Sequence, residues 1–94
     1  MEIVWRAAAL NDLESIRDFI AQDNPRAAAR VRTAIQTTID RLAQFPRLGR
    51  EGRVAGTREL VVPNAPYVVV YRIVENQVRI LAVLHTARRW PRRF

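Results

Sequence analysis

The sequence contains no cysteine, no lysine, one histidine and only three glycines among its 94 residues. Without cysteine the chain forms neither disulfide bonds nor zinc–thiolate sites, and a single histidine gives no cluster for a transition metal. The longest charge-free stretch, Leu60 to Tyr71, is shorter than the run of about 20 apolar residues that spans a bilayer. The N-terminus lacks the basic region and apolar run of a signal peptide. We therefore expect a cytoplasmic protein with no metal, no other cofactor and no membrane contact.

Charge is the most unusual property of the chain. All sixteen basic residues are arginine, and against nine acidic residues they give a net charge of +7. A field of this sign on a small body attracts nucleic acid or an acidic protein. Arginine also binds carboxylates and phosphates bidentately. The absence of lysine is equally consistent with the arginine codons of a GC-rich genome, and composition alone does not choose between the two kinds of partner.

The length and the 49% of hydrophobic residues predict one globular domain over residues 1–94. Met1 to Trp5 alternates as a short strand. Apolar residues at steps of three and four then predict a helix over Ala7–Gln22. A second helix follows, with Asn24 as its N-cap and Pro25 at its first position. Two helices joined this closely are expected to lie antiparallel.

Phe45-Pro46 ends the second helix, because proline excludes its predecessor from helical torsions. The loop Arg47–Gly56 carries three glycines and three arginines, so we expect it to be flexible and exposed. From Thr57 the period changes to two. This predicts a β-meander with strands near 57–62, 67–74 and 78–85. The fold class is thus α+β, in the order β-α-α-β-β-β, with the N-terminal strand and the helical hairpin packed on an antiparallel sheet.

A two-residue turn at Glu75-Asn76 places Val74 opposite Gln77 and assigns the later residues to faces of the sheet. The face predicted to receive the helices contains Tyr67, Val69, Tyr71, Ile73, Val78, Ile80, Ala82 and Leu84. The opposite face contains Val68, Val70, Arg72, Val74, Arg79, Leu81, Val83 and His85. This second face is half apolar and half cationic, so it is predicted to need a covering partner.

The segment 86–94 is a basic aromatic tail. It holds four arginines together with Trp90 and Phe94. Two large aromatic rings are costly to leave in water. We therefore expect at least part of this tail to dock on the body or on a partner.

The order of a strand, two helices, an arginine-rich glycine loop, three strands and a basic tail resembles the ParE/RelE superfamily of type II toxin–antitoxin toxins. The resemblance spans the chain. It is carried by Asp12-Leu13, Asn24-Pro25, Phe45-Pro46-Arg47-Leu48-Gly49-Arg50, Gly56-Thr57-Arg58-Glu59-Leu60, Tyr67-Val68-Val69-Val70-Tyr71-Arg72 and Val83-Leu84-His85. The Thr-Arg-Glu-Leu segment and the Arg88-Arg89-Trp90-Pro91 that follows His85 favour the ParE-like branch.

The resemblance implies an acidic antitoxin as the partner, and contact with DNA only indirectly through that antitoxin. An antitoxin segment laid on the cationic face would bury apolar residues and pair acidic side chains with arginines. The residues expected to bind it are Val68, Val70, Arg72, Arg79, Leu81 and Val83.

Two targets are compatible with the resemblance. ParE-like toxins poison DNA gyrase, and for this role we expect target contacts at Arg58, Arg88, Arg89 and Trp90. RelE-like toxins are endoribonucleases that cut messenger RNA on the ribosome. In that alternative His85, Arg58 and Glu51 are the candidate catalytic residues, because cleavage needs a base, an acid and positive charge at the phosphate. The predicted register places His85 about 20 Å from Arg72 and Arg79, at roughly 3.3 Å per residue, which is too far for one phosphate. Only Arg58 and the tail arginines could join His85. We therefore predict a gyrase-binding protein without chemistry of its own.

Overall fold

The computed structural model describes all 94 residues and contains two helices and five strands. The helices pack antiparallel on one face of a single sheet, whose other face we call the outer face. Neither helix is both long and apolar enough to cross a membrane. The elements are β1 (Glu2–Trp5), α1 (Ala7–Ala21), α2 (Pro25–Asp40), β2 (Arg50–Glu51), β3 (Arg58–Val61), β4 (Tyr67–Val74) and β5 (Gln77–His85).

The boundary between the two helices follows from a local capping signal. The side-chain oxygen of Asn24 accepts a hydrogen bond from the backbone N–H of Ala27 at 3.0 Å, and Pro25 occupies the first helical position. These contacts satisfy N–H groups that a helix start otherwise leaves unpaired. The predicted N-cap and the predicted start of the second helix are confirmed. At its other end α2 continues into a short 3-10 turn, Arg41–Ala43, before Phe45-Pro46.

The sheet has the strand order β1-β5-β4-β3-β2 and confirms the predicted α+β class. The meander β3-β4-β5 is antiparallel, as predicted. Two features go beyond the prediction. Strand β1 joins the sheet at the edge of β5 in parallel orientation, and the two-residue strand β2 extends the other edge inside the predicted loop.

The main core lies between the helices and the inner face of the sheet. Ile35 and Ile39 from α2 are fully buried against Tyr71 and Ile80 from the sheet. Large-to-small changes at such positions typically cost about 2–5 kcal/mol. The other fully or nearly buried members of this core are Ala9, Leu13, Leu42, Val62, Tyr67, Val69, Val78 and Val83.

A β-bulge in β5 overturns part of the predicted face assignment. Val74 faces Gln77, and the predicted register holds as far as Tyr71 opposite Ile80. Val70 then faces Ala82, which makes Leu81 an extra residue in β5. One extra residue moves every later side chain to the other face. The prediction is therefore wrong for the end of β5. Val83 and His85 lie on the helix side, whereas Ala82 and Leu84 lie on the outer face.

Candidate partner-binding surface

The outer face is covered by the chain's own tail, residues 86–94. Five apolar residues at the centre of this face are at most 7% exposed, and the half-buried Trp90 and Phe94 pack against them. The prediction that this face stays open until a partner covers it is therefore wrong, because the two tail aromatics supply the cover. The tail was expected to dock on the body or on a partner, and it docks on the body. The covered outer-face residues are Val68, Val70, Leu81, Ala82 and Leu84.

The tail is attached by backbone hydrogen bonds only near its start. The N–H of Thr86 donates to the carbonyl of Pro66 at 2.8 Å, and the N–H of Arg88 donates to His85 at 3.0 Å. Further along, the guanidinium of Arg53 lies 3.7 Å from the centre of the Trp90 ring, a cation–π contact. The indole N–H of Trp90 is buried without a hydrogen-bond partner, which reduces the gain from docking. Side-chain packing therefore holds the last residues.

Glu59 positions Arg53, the residue whose guanidinium contacts the Trp90 ring. Glu59 is 3% exposed, and its carboxylate accepts the backbone N–H of Arg53 at 2.8 Å and lies 3.4 Å from the Arg53 Nε. Arg50, opposite Glu59 on β2, donates to the same carboxylate at 3.2 Å. Burial by itself raises the pKa of Glu59, but the Arg53 and Arg50 hydrogen bonds and the Arg53 charge outweigh it, so the pKa lies below its ordinary value. Glu59, Arg53 and Trp90 thus form one stack from sheet to tail.

The predicted flexible loop is tied to the sheet. The hydroxyl of Tyr71 accepts the N–H of Gly49 at 2.8 Å and donates to the carbonyl of Pro46 at 2.7 Å. Arg58 donates from its guanidinium to the carbonyl of Gly49 at 2.6 Å. A Cβ on Gly49 would lie 2.6 Å from the Tyr71 hydroxyl, so the close approach requires glycine. The loop is exposed at most of its side chains but is not free of the body.

The structure separates His85 from Glu51 and Arg58, the other two residues named for the ribonuclease alternative. Glu51 and Arg58 are partners across β2 and β3, and Arg58 lies opposite Tyr71. His85 lies opposite Tyr67, at the other end of β4. Four residues along β4 correspond to about 13 Å, and the two strand spacings across the sheet add about 10 Å in the perpendicular direction. His85 and Arg58 therefore do not meet around one phosphate.

His85 has partners of its own. Its ring contacts Tyr67 edge-on with centroids 5.4 Å apart, and its Nδ1 accepts the N–H of Ala87 at 3.0 Å. Both contacts join the end of β5 to its neighbours. His85 therefore has a structural role at the start of the tail.

The residues expected to contact the target do not form one patch. Arg88 and Arg89 are exposed on the tail, and Trp90 is half-buried on the outer face. Arg58 belongs to the inner face of β3, at the opposite end of the sheet from His85. Of the residues expected to contact the antitoxin, Arg79 is exposed and Arg72 is half-buried directly opposite it, while the four apolar ones are buried.

Sequence reasoning missed Asp12, which supports the strand that carries the tail. Strand β1 pairs with β5 only as far as Ile80, and beyond it the carboxylate of Asp12 accepts the N–H of Val83 at 3.0 Å. Burial raises the pKa of Asp12, more than the Val83 hydrogen bond and the charge of Arg88 lower it. No local signal in the sequence pointed to a strand N–H as the partner of Asp12.

Comparison with known proteins identifies the family. Residues 3–90 match the ParE toxin of the parDE type II toxin–antitoxin system. A protein of Sinorhizobium fredii named toxin Y4kP is 46% identical over 95% of this chain and 92% of its own length. Toxin RelE2 of Caulobacter vibrioides is 42% identical over 93% of this chain and 97% of its own.

The fold agrees with this assignment. A chain in the solved structure of the chromosomal ParDE system from P. aeruginosa superposes with a TM-score of 0.85 and 25% identity, over 90% of this chain and 95% of that one. The two helices and the five-stranded sheet match the fold of that chain. The chain belongs to the ParE toxin family of type II toxin–antitoxin systems, and a cognate antitoxin is its expected partner.

Proposed function

We propose that this toxin acts in the cytoplasm by binding DNA gyrase and stabilising its cleaved-DNA state, with no chemistry of its own. The observation that carries the proposal is the position of His85. It contacts Tyr67 and the start of the tail, far from Arg58 and Glu51. A general base and a phosphate-binding cation must lie within hydrogen-bond reach of one substrate. The geometry favours a binding surface over the ribonuclease alternative.

The proposed contacts with gyrase are Arg88 and Arg89. Both side chains are exposed on a segment that leaves the sheet. Trp90, the next residue along the chain, anchors this segment to the body, because its ring packs on the outer face and on Arg53. Arg58 is assigned a supporting role in the loop, since its guanidinium holds Gly49.

The antitoxin is proposed to bind along the outer face. The net charge of +7 favours an acidic partner. Arg72 and Arg79 provide charge on this face, and the apolar residues next to them become accessible if the tail moves aside. The antitoxin is therefore expected to use acidic side chains and, where the tail gives way, apolar ones.

Induction of the chain in cells tests the target. We expect activation of the SOS DNA-damage response without translation-dependent cuts in messenger RNA. The His85→Ala variant is expected to retain toxicity within about twofold, because the histidine contributes local contacts only. With purified gyrase and supercoiled plasmid, linear cleaved DNA should accumulate. Messenger RNA cuts that disappear in His85→Ala would contradict the proposal and support the ribonuclease alternative.

A matched pair of double variants tests the contact residues. Replacement of Arg88 and Arg89 by alanine removes two exposed positive charges from the tail, and the same replacement at Arg26 and Arg30 removes two from α2. Both variants carry the same net charge. We expect only the tail variant to lose gyrase cleavage, by about tenfold or more, since charge-assisted contacts at an interface are worth roughly 1.5–3 kcal/mol each. Equal losses would point to unspecific attraction.

A further inference from the structure

A second site lies on the outer face where β1, β5 and β4 run side by side. It is a cavity of about 300 Å³. Three arginines and three apolar residues line it, and no acidic residue does. The lining residues are Arg6, Arg72 and Arg79, together with Val4, Leu81 and Phe94.

The three arginines have no anionic partner in the chain. All salt bridges are made by Arg17, Arg50 and Arg53. Arg72 and Arg79 are direct partners across β4 and β5, an arrangement in which like charges destabilise a sheet. An anion bound between them would reverse that cost.

The hydrogen bonds of the two strand arginines are incomplete. Arg79 donates from its Nε to the side-chain oxygen of Gln77 at 3.1 Å, and Gln77 in turn donates to Glu2 at 3.0 Å. The Nε of Arg72 is buried and has no acceptor. A buried donor left unpaired costs roughly 1–3 kcal/mol.

The apolar half of the cavity favours a polypeptide ligand over a nucleic acid. Leu81 and Phe94 line the cavity and also belong to the apolar cluster under the tail. A peptide segment crossing the outer face therefore places apolar side chains on the cluster and an acidic one among the arginines. A phosphate backbone needs a polar track of several cations, whereas half of this lining is apolar.

We propose that the cavity is a carboxylate-binding site for an aspartate or glutamate side chain of an acidic protein segment. Arg72 and Arg79 bind the carboxylate from the sheet, and Arg6 binds it from the turn between β1 and α1. Planar guanidinium forks match a carboxylate in this way. The site deepens the proposed function, since the acidic segment is expected to belong to the antitoxin.

NMR of the full chain tests the site through its arginine Nε–H signals. The probe is a capped peptide, Leu-Glu-Val-Glu-Leu, with its Leu-Gln-Val-Gln-Leu counterpart and a hexathymidylate for comparison. We expect the glutamate peptide to shift the signals of Arg6, Arg72 and Arg79. Arg72→Gln is expected to weaken its binding about tenfold, and Arg79→Gln likewise. Arg30→Gln on α2 removes the same charge and should leave the affinity within about twofold.

Three results would overturn the proposal. One is an equal loss in Arg30→Gln, which indicates unspecific charge attraction. Another is tighter binding of the oligonucleotide at the same three signals, which indicates a phosphate site. The third is no change of these signals with either probe in a protein whose backbone spectrum shows it folded. If the peptide fails while the chain still triggers gyrase-dependent DNA damage, the carboxylate site is wrong and the proposed target stands.

Discussion

The double variant Trp90→Ala/Phe94→Ala is expected to have a free energy of unfolding about 2–4 kcal/mol lower than that of the parent chain. The two rings cover outer-face side chains that are at most 7% exposed. Their removal returns Val68, Val70 and Leu84 to water, and burial of a large apolar side chain is worth about 1.5–3 kcal/mol. For a domain of this size each kcal/mol corresponds to a melting shift of about 4–8 °C. Thermal or urea unfolding measures the effect, and binding of a hydrophobic dye reports the uncovered face.

Phe19→Ala is the matched control for the tail variant. Phe19 lies on α1 and is 70% exposed, so its removal is expected to change stability by about 0.5 kcal/mol or less. Equal melting temperatures for the tail variant and the Phe19 variant, with no added dye binding, would show that the tail does not cover the outer face.

Glu59→Gln is expected to lower the free energy of unfolding by about 1–3 kcal/mol at neutral pH, in line with the loss of charge-assisted hydrogen bonds at a buried group. The variant keeps the shape of the side chain but loses the charge that holds Arg50 and Arg53. Because Arg53 lies under the Trp90 ring, the tail should loosen too. Glu51→Gln, on the neighbouring strand and exposed, is the control and should change stability little.

The effect of Glu59→Gln should depend on pH in a defined direction. The pKa of Glu59 is lowered in the folded chain, so its charge stabilises the fold above the ordinary glutamate value of about 4.3. That contribution is lost as the pH falls through the lowered pKa. Parent and variant should therefore differ most near neutrality and converge in acid. Asp12 titrates in both proteins and cancels in the comparison. A difference that grows below pH 4 would contradict the assigned ion pairs.

Local signals in the sequence were sufficient for most of the architecture. Asn24-Pro25 set the start of α2 because a side-chain acceptor and a missing N–H both suit a helix N-terminus. The Glu75-Asn76 turn fixed the pairing of Val74 with Gln77. The parallel edge strand β1 and the two-residue β2 depend on contacts distant in sequence. No local pattern encodes such contacts.

The bulge was missed for a specific reason. Register is normally revealed by polar residues that would fall on the wrong face. From Ile80 to Leu84 every residue of β5 is apolar, so a slip by one exchanges one apolar residue for another on each face. No residue in this run therefore contradicted the regular register. Val83 was placed on the partner-binding face because of this run.

The sequence predicted the candidate partner-binding surface only in part. The composition of the tail indicated that Trp90 and Phe94 dock, but left both the body and a partner open as the docking surface. The structure assigns them to the body. Arg53 and Glu59 become neighbours of the tail only because β2 and β3 place them at that edge of the outer face. Arg72 and Arg79 were found from the turn register alone.

The extra residue in β5 decides how the end of this strand would respond to the loss of one codon. Deletion of Leu81 would remove the bulge but leave Ala82 opposite Val70 and Leu84 opposite Val68, so the segment that follows would still exit on the side of the outer face. The loss of this one codon would therefore leave the exit of the C-terminal segment in place. Loss of one codon should accordingly be tolerated better at Leu81 than in the regular part of β5, where it turns neighbouring side chains to the wrong face.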